Sequence, residues 1–191
     1  MVTNVALDKL RAGQPAMGLA LGLNDPVIAE MFGRSGIDWV WIDDQHGVYD
    51  RASVLRAIQV IGPGGAAPIV RVASNDVFRI GRALDAGALG VIVPMVNSAE
   101  EARAAVYAAK YPPAGGRSRG GVRLGFLGED YFETANRNLL VAVQVETRAA
   151  LERTSEIAAV EGVDCVMLGP SDLAADLGVP VGSDEHEAAL A

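Results

Sequence analysis

Short apolar runs alternate with longer amphipathic runs along most of the 191-residue chain. The short runs are rich in Val, Ile, Leu and Trp, which is typical of strands that are buried on both faces. In the longer runs, apolar residues recur every three or four positions, as they do in helices that cover a sheet. The pattern predicts strands at about 17–23, 38–43, 68–72, 90–94, 140–145 and 164–168.

Helix-capping signals mark the starts of several helices between these strands. Asp25 precedes Pro26, which is an N-cap followed by proline at the first helical position, and Ser98 stands three residues before Glu101, as in a capping box. The segment 111–128, rich in glycine and arginine, is long enough to predict a functional loop. The predicted helices span about 26–33, 50–60, 76–86, 98–110, 130–138 and 147–160, with a short last helix that ends near 177.

Six βα units in succession predict a parallel sheet with right-handed crossovers. An open doubly wound sheet and a (βα)8 TIM barrel both fit this order. No dinucleotide-binding glycine pattern follows the first strand, and polar residues follow several strands, which favours the barrel. A barrel typically needs about 250 residues, so the chain is short by roughly two βα units. We therefore expect a single domain over 1–191, an α/β barrel truncated after about six βα units.

Composition narrows the classes of partner. Half of the residues are apolar and 21% are charged, which is usual for a soluble globular protein. The formal net charge of -8 argues against nucleic acid as a partner, because binding phosphates needs a basic surface. No signal peptide and no stretch of transmembrane length is evident, so we expect a cytoplasmic protein with no membrane partner. The single Cys165 lies in an apolar run and is expected to be an inert, buried thiol.

The stretch 38–47, Asp-Trp-Val-Trp-Ile-Asp-Asp-Gln-His-Gly, ends an apolar strand abruptly in polar side chains. The carboxyl ends of strands are where α/β folds place their active sites. His46 there is a candidate general base, with Asp43 orienting its ring. Taken alone, the cluster is equally consistent with a loop that caps the next helix. The other histidine, His186, lies in an acidic tail and is interpreted as a solvated surface residue.

Three more charged residues stand at predicted strand ends. Glu146 and Asp172 each follow a strongly apolar run, and two carboxylates with room for water suit Mg²⁺ or Mn²⁺. Alternatively, they are first-turn acids that complement helix dipoles. Arg71 is positioned to hold a carboxylate and stabilise a developing oxyanion. Its alternative role is a salt bridge to Asp43 or Glu146.

Other catalytic chemistries lack their residues. No Gly-Xaa-Ser-Xaa-Gly elbow is present, and Cys165 has no histidine nearby in sequence, which leaves nucleophilic acyl transfer without support. A Schiff base needs a lysine at a strand end. The only lysines, Lys9 and Lys110, are not placed there.

The chain resembles the HpcH/HpaI aldolase family, the metal-dependent class II pyruvate aldolases on a (βα)8 barrel of the phosphoenolpyruvate/pyruvate type. Each matching stretch is weak alone, but together they run in family order across almost the whole chain. They are DWVWIDDQHG (38–47), PIVRVASND (68–76), LDAGALGVIVPMV (84–96), KYPPAGGRSRGG (110–121), QVET (144–147) and GVDCVMLGPSDL (162–173).

The resemblance implies a site for pyruvate on a divalent metal (Mg²⁺, Mn²⁺ or Co²⁺). In such a site Glu146 and Asp172 ligate the metal, and Gln144 contacts the pyruvate or the metal's ligand shell. Arg71 stabilises the enolate, while Asp43 and His46 form the acid/base pair. Backbone amides in the segment Gly169, Pro170, Ser171 receive the pyruvate carboxylate.

The implied reaction joins pyruvate, as its enolate, to an aldehyde, or cleaves a 4-hydroxy-2-oxo acid in reverse. The family also implies a homo-oligomer, a trimer or hexamer, if the full-length barrel is present. Two alternatives stay open: a truncated, non-catalytic barrel that binds metal or 2-oxo acid, and a lyase for CoA thioesters of the citryl or malyl type. The second would need a basic patch, for which Arg117, Arg119 and Arg123 are the candidates, and the same loop could instead grip a distal carboxylate or another subunit. Gln45 departs from the glutamate that many members carry before the histidine.

Overall fold

The computed structural model describes residues 3–191 and contains one parallel six-stranded sheet. The strands pair in sequence order and curl into part of a barrel, as the alternation of the sequence predicts. In the described residues β1 and β6 form the two edges and do not pair with each other. The strands are β1 Gly18–Leu21, β2 Trp39–Asp43, β3 Ala67–Arg71, β4 Gly90–Val93, β5 Leu140–Val145 and β6 Cys165–Leu168.

The helices lie where the capping signals predict them, with two differences. The predicted helix 147–160 is two short helices that meet at Arg153, and two further helices, α1 and α10, lie before and after the predicted ones. Between 111 and 131 the chain also forms a 3-10 turn at Val122–Leu127. The α-helices are α1 Val5–Arg11, α2 Pro26–Gly33, α3 Arg51–Ile61, α4 Val77–Asp85, α5 Ala99–Ala109, α6 Tyr131–Asn138, α7 Arg148–Glu152, α8 Thr154–Ala158, α9 Pro170–Leu177 and α10 Asp184–Leu190.

Most of the predicted caps are present. Asp25 accepts the amides of Val27 and Ile28 at the start of α2, and Ser98 accepts the amide of Glu101 at the start of α5. The capping box is only half formed, because the Glu101 carboxylate accepts the Asn97 amide instead of that of Ser98. The backbone of Asn97, which precedes α5, is therefore hydrogen-bonded to a side chain of the helix.

Alternating residues of each strand build two separate hydrophobic cores. The outward-facing residues pack under the helices, and the inward-facing residues fill the interior of the curled sheet. Side chains in the first core include Val40, Ile42, Val70, Val91 and Val143, and those in the second include Ala67, Ile69, Ile92, Leu140 and Ala142.

Helix α1 closes the amino-terminal end of the inner core. Its Ala6 and Leu7 are each 1% exposed and pack among the inward-facing strand residues. Just before the helix, the Asn4 side-chain amide donates to the carbonyls of Leu89 (2.7 Å) and Asn138 (2.9 Å), which precede β4 and β5. One end of the sheet is thus covered by α1, and the opposite end, where the strands finish, is left for the site.

The arginine-rich loop is anchored to the protein by Arg117. Its guanidinium bonds Asp85 at 2.7 Å and the Tyr131 hydroxyl at 3.2 Å, and it stacks 4.6 Å from the centre of the Tyr111 ring. Only 3% of Arg117 is exposed. Arg117 therefore stabilises the loop and is not available to hold a substrate carboxylate.

His186 contradicts its interpretation as a solvated surface residue. It lies on α10 and is 1% exposed, because the helix turns this position inward while its acidic neighbours face solvent. The imidazole contacts Gly182 and the carbonyl of Pro170.

Between residues 3 and 191 no helix is both long and apolar enough to cross a membrane.

Cys165 is half-buried, and burial raises the pKa of its thiol, as does the neighbouring Asp164 carboxylate. The burial expected for Cys165 is therefore only partial.

Candidate active site

Three inward-facing polar side chains meet at the carboxyl ends of β2, β3 and β5. Parallel pairing places Asp43 directly beside Arg71. The Arg71 guanidinium binds both carboxylate oxygens of Asp43, at 3.0 Å from Nε and 2.7 Å from Nη2, and its Nη1 lies 3.5 Å from the Gln144 side-chain oxygen. The salt bridge weighed from the sequence is therefore present, and it is made to Asp43.

Trp41 supports Arg71 from inside the sheet. The centre of its ring lies 4.4 Å from the guanidinium carbon, within the range of a cation–π contact. Only 8% of Arg71 is exposed. Asp43 and Trp41 together hold the guanidinium in one orientation, with Nη1 directed across the barrel towards β5. The apolar strand pattern identified Trp41 only as a core residue.

The Asp43 carboxylate accepts hydrogen bonds from Arg71 and from the turn that follows β2. Burial opposes its ionisation, but the hydrogen bonds from Arg71 and from the amides of His46 and Gln45 outweigh burial and lower its pKa. Oδ1 accepts those amides at 3.2 and 3.1 Å. Asp43 therefore stays ionised and shapes the turn that carries His46.

His46 is exposed at the mouth of the site. Within residues 3–191 its contact with Asp43 runs through the backbone amide, and no hydrogen bond joins the imidazole to that carboxylate. The expected pairing, in which Asp43 orients the ring, is not formed in this structure. The imidazole is close enough to Glu146 to lower the pKa of that carboxyl group.

Glu146 is the most deeply buried acid of the cluster, with 1% of its surface exposed. Burial raises its pKa, and the nearby Asp172 carboxylate adds to this increase. The Met95 amide, which donates to Oε1 at 2.7 Å, and the charges of Arg71 and His46 act in the opposite direction without cancelling it. Ionised Glu146 thus lacks a full positive partner, because Arg71 is bound to Asp43.

Met95 has a left-handed backbone, with a φ of 55°, which is unfavourable for a residue with a side chain. This conformation aims its amide at Glu146. The Asn97 side chain donates to the Met95 carbonyl at 2.9 Å, and its oxygen accepts the hydroxyl of Thr147, the residue after Glu146. Sequence analysis missed Met95, since no residue type signals a strained turn of this kind.

Gly169 lies against the other side of the Glu146 carboxylate. A Cβ at position 169 would stand 2.3 Å from Oε2, so only glycine leaves room for the acid. The Gly169 amide donates to the carbonyl of Val145 at 3.0 Å, and Pro170 has no N–H. Of the three positions expected to offer amides to a carboxylate, Ser171 is therefore the one at which α9 has an N–H to offer.

Asp172 follows in the first turn of α9 and is exposed. Its influence on the pKa of Glu146 places the two carboxylates within electrostatic reach. Two oxygen-donor acids, one of them buried without a full counter-charge, fit a hard divalent cation such as Mg²⁺ or Mn²⁺. In the described part of the chain, no cluster of three or more His, Cys, Asp or Glu residues could hold a metal ion, so such a cation would take its other ligands from substrate and water.

A cleft of about 280 Å³ opens beside these residues. It runs along the carboxyl ends of β2, β3 and β4, next to Met95. No lysine or arginine lines it. The lining residues are Gln45, Ala73, Ser74, Asn75, Pro94, Met95 and Glu101.

Known proteins with similar sequences place this arrangement in a family. The family model described as HpcH/HpaI aldolase/citrate lyase matches residues 16–191. A 4-hydroxy-2-oxo-heptane-1,7-dioate aldolase of Klebsiella pneumoniae subsp. pneumoniae is 44% identical over 181 residues, which are 93% of this chain and 68% of the relative.

Solved structures agree with the sequence matches. An HpcH/HpaI aldolase/citrate lyase family protein from Burkholderia cenocepacia J2315 superimposes with a TM-score of 0.89 at 33% identity, covering 98% of this chain and 78% of that one. An HpcH/HpaI aldolase from Desulfitobacterium hafniense DCB-2 gives 0.87 at 34% identity, covering 96% and 72%. The chain therefore belongs to the HpcH/HpaI aldolase/citrate lyase family, whose fold is the TIM-type barrel expected from its sequence.

Proposed function

We propose that this chain is a divalent-metal-dependent aldolase that cleaves or forms 4-hydroxy-2-oxo acids through a pyruvate enolate and an aldehyde. The observation that carries the proposal is the buried Glu146 carboxylate, opposite a guanidinium already fixed by Asp43. Relatives at about 42% identity are named as aldolases for a substrate of this kind.

Each side chain has a separate task in this proposal. Glu146 and Asp172 would hold Mg²⁺, Mn²⁺ or Co²⁺, which when bound supplies a Lewis acid that favours enolate formation. The Nη1 of Arg71, which Asp43 does not use, and the side chain of Gln144 orient the oxo acid, and Arg71 stabilises its developing negative charge. The Ser171 amide would donate a hydrogen bond to one oxygen of the substrate carboxylate, at the positive, amino-terminal end of α9.

His46 is the proposed proton carrier, because its exposed imidazole is close enough to Glu146 to influence the pKa of that carboxyl group. In the cleavage direction it would take the proton of the 4-hydroxyl group as the carbon–carbon bond breaks. Asp43 assists indirectly, because its carboxylate fixes the turn and the orientation of Arg71.

The test is pyruvate release from a 4-hydroxy-2-oxo acid, followed by a coupled assay with lactate dehydrogenase. We expect a chelator to stop release, and Mg²⁺, Mn²⁺ or Co²⁺ to restore it. Glu146→Gln should abolish Mn²⁺ binding, whereas His46→Ala should leave Mn²⁺ binding intact and lower kcat by about 10²–10⁴-fold. Full turnover in chelator would overturn the metal assignment. Metal binding without any turnover would support the non-catalytic alternative.

The CoA-thioester alternative has less support. The named relatives are aldolases, Arg117 is buried against Asp85, and Arg119 stacks on Phe132 at 5.3 Å. Arg117 is therefore engaged inside the protein, and only Arg119, which is exposed, and Arg123, which is half-buried, keep surface for an anionic group.

The domain and assembly are proposed as well. We infer a single barrel domain that is completed in the longer protein by about two more βα units, because the sheet has free edges and the chain covers 68–73% of the curated relatives. From the family resemblance we also propose a cytoplasmic homo-oligomer, a trimer or hexamer, that binds no membrane. The net charge of -8 supports the proposal that it binds no nucleic acid.

A further inference from the structure

The buried imidazole of His186 contacts two backbone groups outside α10. One belongs to Gly182, just before the helix, and the other to Pro170 on α9. The imidazole Nδ1 lies 3.0 Å from the amide nitrogen of Gly182, and its Nε2 lies 2.9 Å from the carbonyl oxygen of Pro170. His186 is the buried residue of α10.

These two contacts fix the protonation of the ring. A backbone N–H can only donate and a carbonyl can only accept, so Nδ1 must be the bare acceptor and Nε2 must carry the proton. The Glu187 carboxylate stands 3.9 Å from Nδ1, but Nδ1 already accepts the Gly182 amide. His186 is therefore a neutral imidazole that uses both nitrogens.

Pro170 is the first residue of α9, and Asp172 lies in the same turn. On the residue before Pro170, the missing Cβ of Gly169 lets the Glu146 carboxylate pack against the backbone. The start of α9 is thus fixed from two directions, by β5 on one side and by His186 on the other. The far part of the helix is held separately, through the Asp176 carboxylate, which accepts the Arg148 amide at 2.7 Å.

We propose that His186 is a positioning residue for the metal site, an inference that rests on the proposed function. Its Nε2–H bond to the Pro170 carbonyl holds the first turn of α9, and with it Asp172, in place beside the Glu146 side of the site, where the two carboxylates would hold the divalent cation. Neither the family resemblance nor the acidic sequence around position 186 assigns His186 this role.

The two nitrogens of His186 can be tested separately. In His186→Asn the side-chain oxygen lies near the position of Nδ1 and keeps the Gly182 bond. In His186→Gln the side-chain nitrogen reaches the position of Nε2 and keeps the Pro170 bond. We expect His186→Asn and His186→Ala to weaken Mn²⁺ binding by about tenfold, the size found for residues that orient metal ligands, and His186→Gln to stay close to wild type.

The measurement is the Kd for Mn²⁺ of the whole chain, by electron paramagnetic resonance at a fixed pH, beside urea unfolding of each variant. Ser183→Ala is the matched control. Ser183 caps α10 through the His186 amide, so this variant should destabilise the helix while the imidazole contacts and the Mn²⁺ affinity remain.

Three results would overturn the inference: an unchanged Kd in His186→Asn, a loss in His186→Gln as large as in His186→Asn, or an equal loss in Ser183→Ala. The proposed metal site itself is tested by Asp172→Asn. If Asp172→Asn binds Mn²⁺ like the wild type, the site assignment fails. If Asp172→Asn loses binding while His186→Asn does not, only the role of His186 fails. Should His186→Ala not fold, the comparison of the Asn and Gln variants decides.

Discussion

At the residue scale, the Asp43–Arg71 pair determines how the candidate site is charged. Each partner satisfies the other through two hydrogen bonds, in a place where little water reaches either side chain. Glu146 has no such partner among the described residues, so the increase in its pKa caused by burial is not cancelled. The same guanidinium thus lowers the pKa of one acid and leaves another available for a cation.

The pair predicts how stability depends on pH. The pKa of Asp43 in the folded protein lies below its ordinary value of 3.8, so ionised Asp43 adds stability above pH 3.8. This stability is lost as the pH falls from 3.8 through the folded pKa. Arg71→Met should therefore cost about 3 kcal/mol of unfolding free energy at neutral pH, since it leaves a buried carboxylate unpaired. The difference from wild type should narrow as the pH falls towards and below 3.8, because Asp43 becomes protonated first in the variant, which lacks Arg71, and only at a lower pH in the wild type.

Urea unfolding at a series of pH values measures this difference. Arg103→Met, at an exposed position of α5, is the control and should change stability by less than about 0.5 kcal/mol at every pH. A constant difference between Arg71→Met and wild type from pH 7 to pH 3 would contradict the stated role of the ion pair.

Whether the place of a residue can be predicted from sequence depends on whether local or long-range contacts determine it. The abrupt ends of apolar runs were enough to locate Asp43, Arg71 and Glu146 at strand ends, because strand length and side-chain alternation are local properties. The partner of Arg71 could not be chosen from sequence, since it depends on register between strands. The left-handed Met95 is held by Asn97 and the turn around it, and no local pattern encodes such a conformation.

At the element scale, capping residues predicted where helices start. The pattern of polar residues did not predict which face of a helix is buried. Asp25, Asp50 and Asp76 cap their helices through their own side chains, a contact that sequence signals directly. His186 was misjudged because its neighbours are acidic. Only the packing of α10 against the start of α9 shows that one face of this polar helix is covered.

Helix α1 supplies the element-scale prediction. Leu7 is 1% exposed within the inner core, so Leu7→Ala should lower the unfolding free energy by about 2–5 kcal/mol. Leu10 of the same helix is 36% exposed, so Leu10→Ala should lower the unfolding free energy far less. Chemical denaturation measures both variants.

The Mn²⁺ Kd of the Leu7→Ala variant should equal that of the wild type under conditions in which the variant is folded. This follows because α1 covers the end of the sheet opposite to the site. Equal destabilisation by the two leucine variants would refute the packing described for α1.

At the scale of the whole molecule, right-handed crossovers were consistent with both an open doubly wound sheet and a barrel. The polar residues at several strand ends favoured the barrel, whose strands pair in sequence order as observed. The length of the chain also indicated how far the barrel extends. The free edges of β1 and β6 could not be foreseen in detail, since edge exposure is a property of the assembled sheet. Leu19 and Leu168, on these two strands, are 39% and 37% exposed.

The proposed completion of the barrel predicts the size of the natural protein. Intact mass spectrometry of protein purified from its source should give a mass well above the 19.9 kDa of this chain, equivalent to roughly 250 residues. A measured mass of 19.9 kDa would contradict the proposal of two additional βα units.

The position of α1 has a consequence for the order of events during synthesis. Helix α1 is synthesised before all six strands of the sheet, yet Asn4 bonds the carbonyls of Leu89 and Asn138, which are 85 and 134 residues further along. The nascent chain therefore carries an undocked amphipathic helix until most of the sheet has been translated. Docking of α1 is then a late event in folding, and an amino-terminal fusion would act on that final closing step.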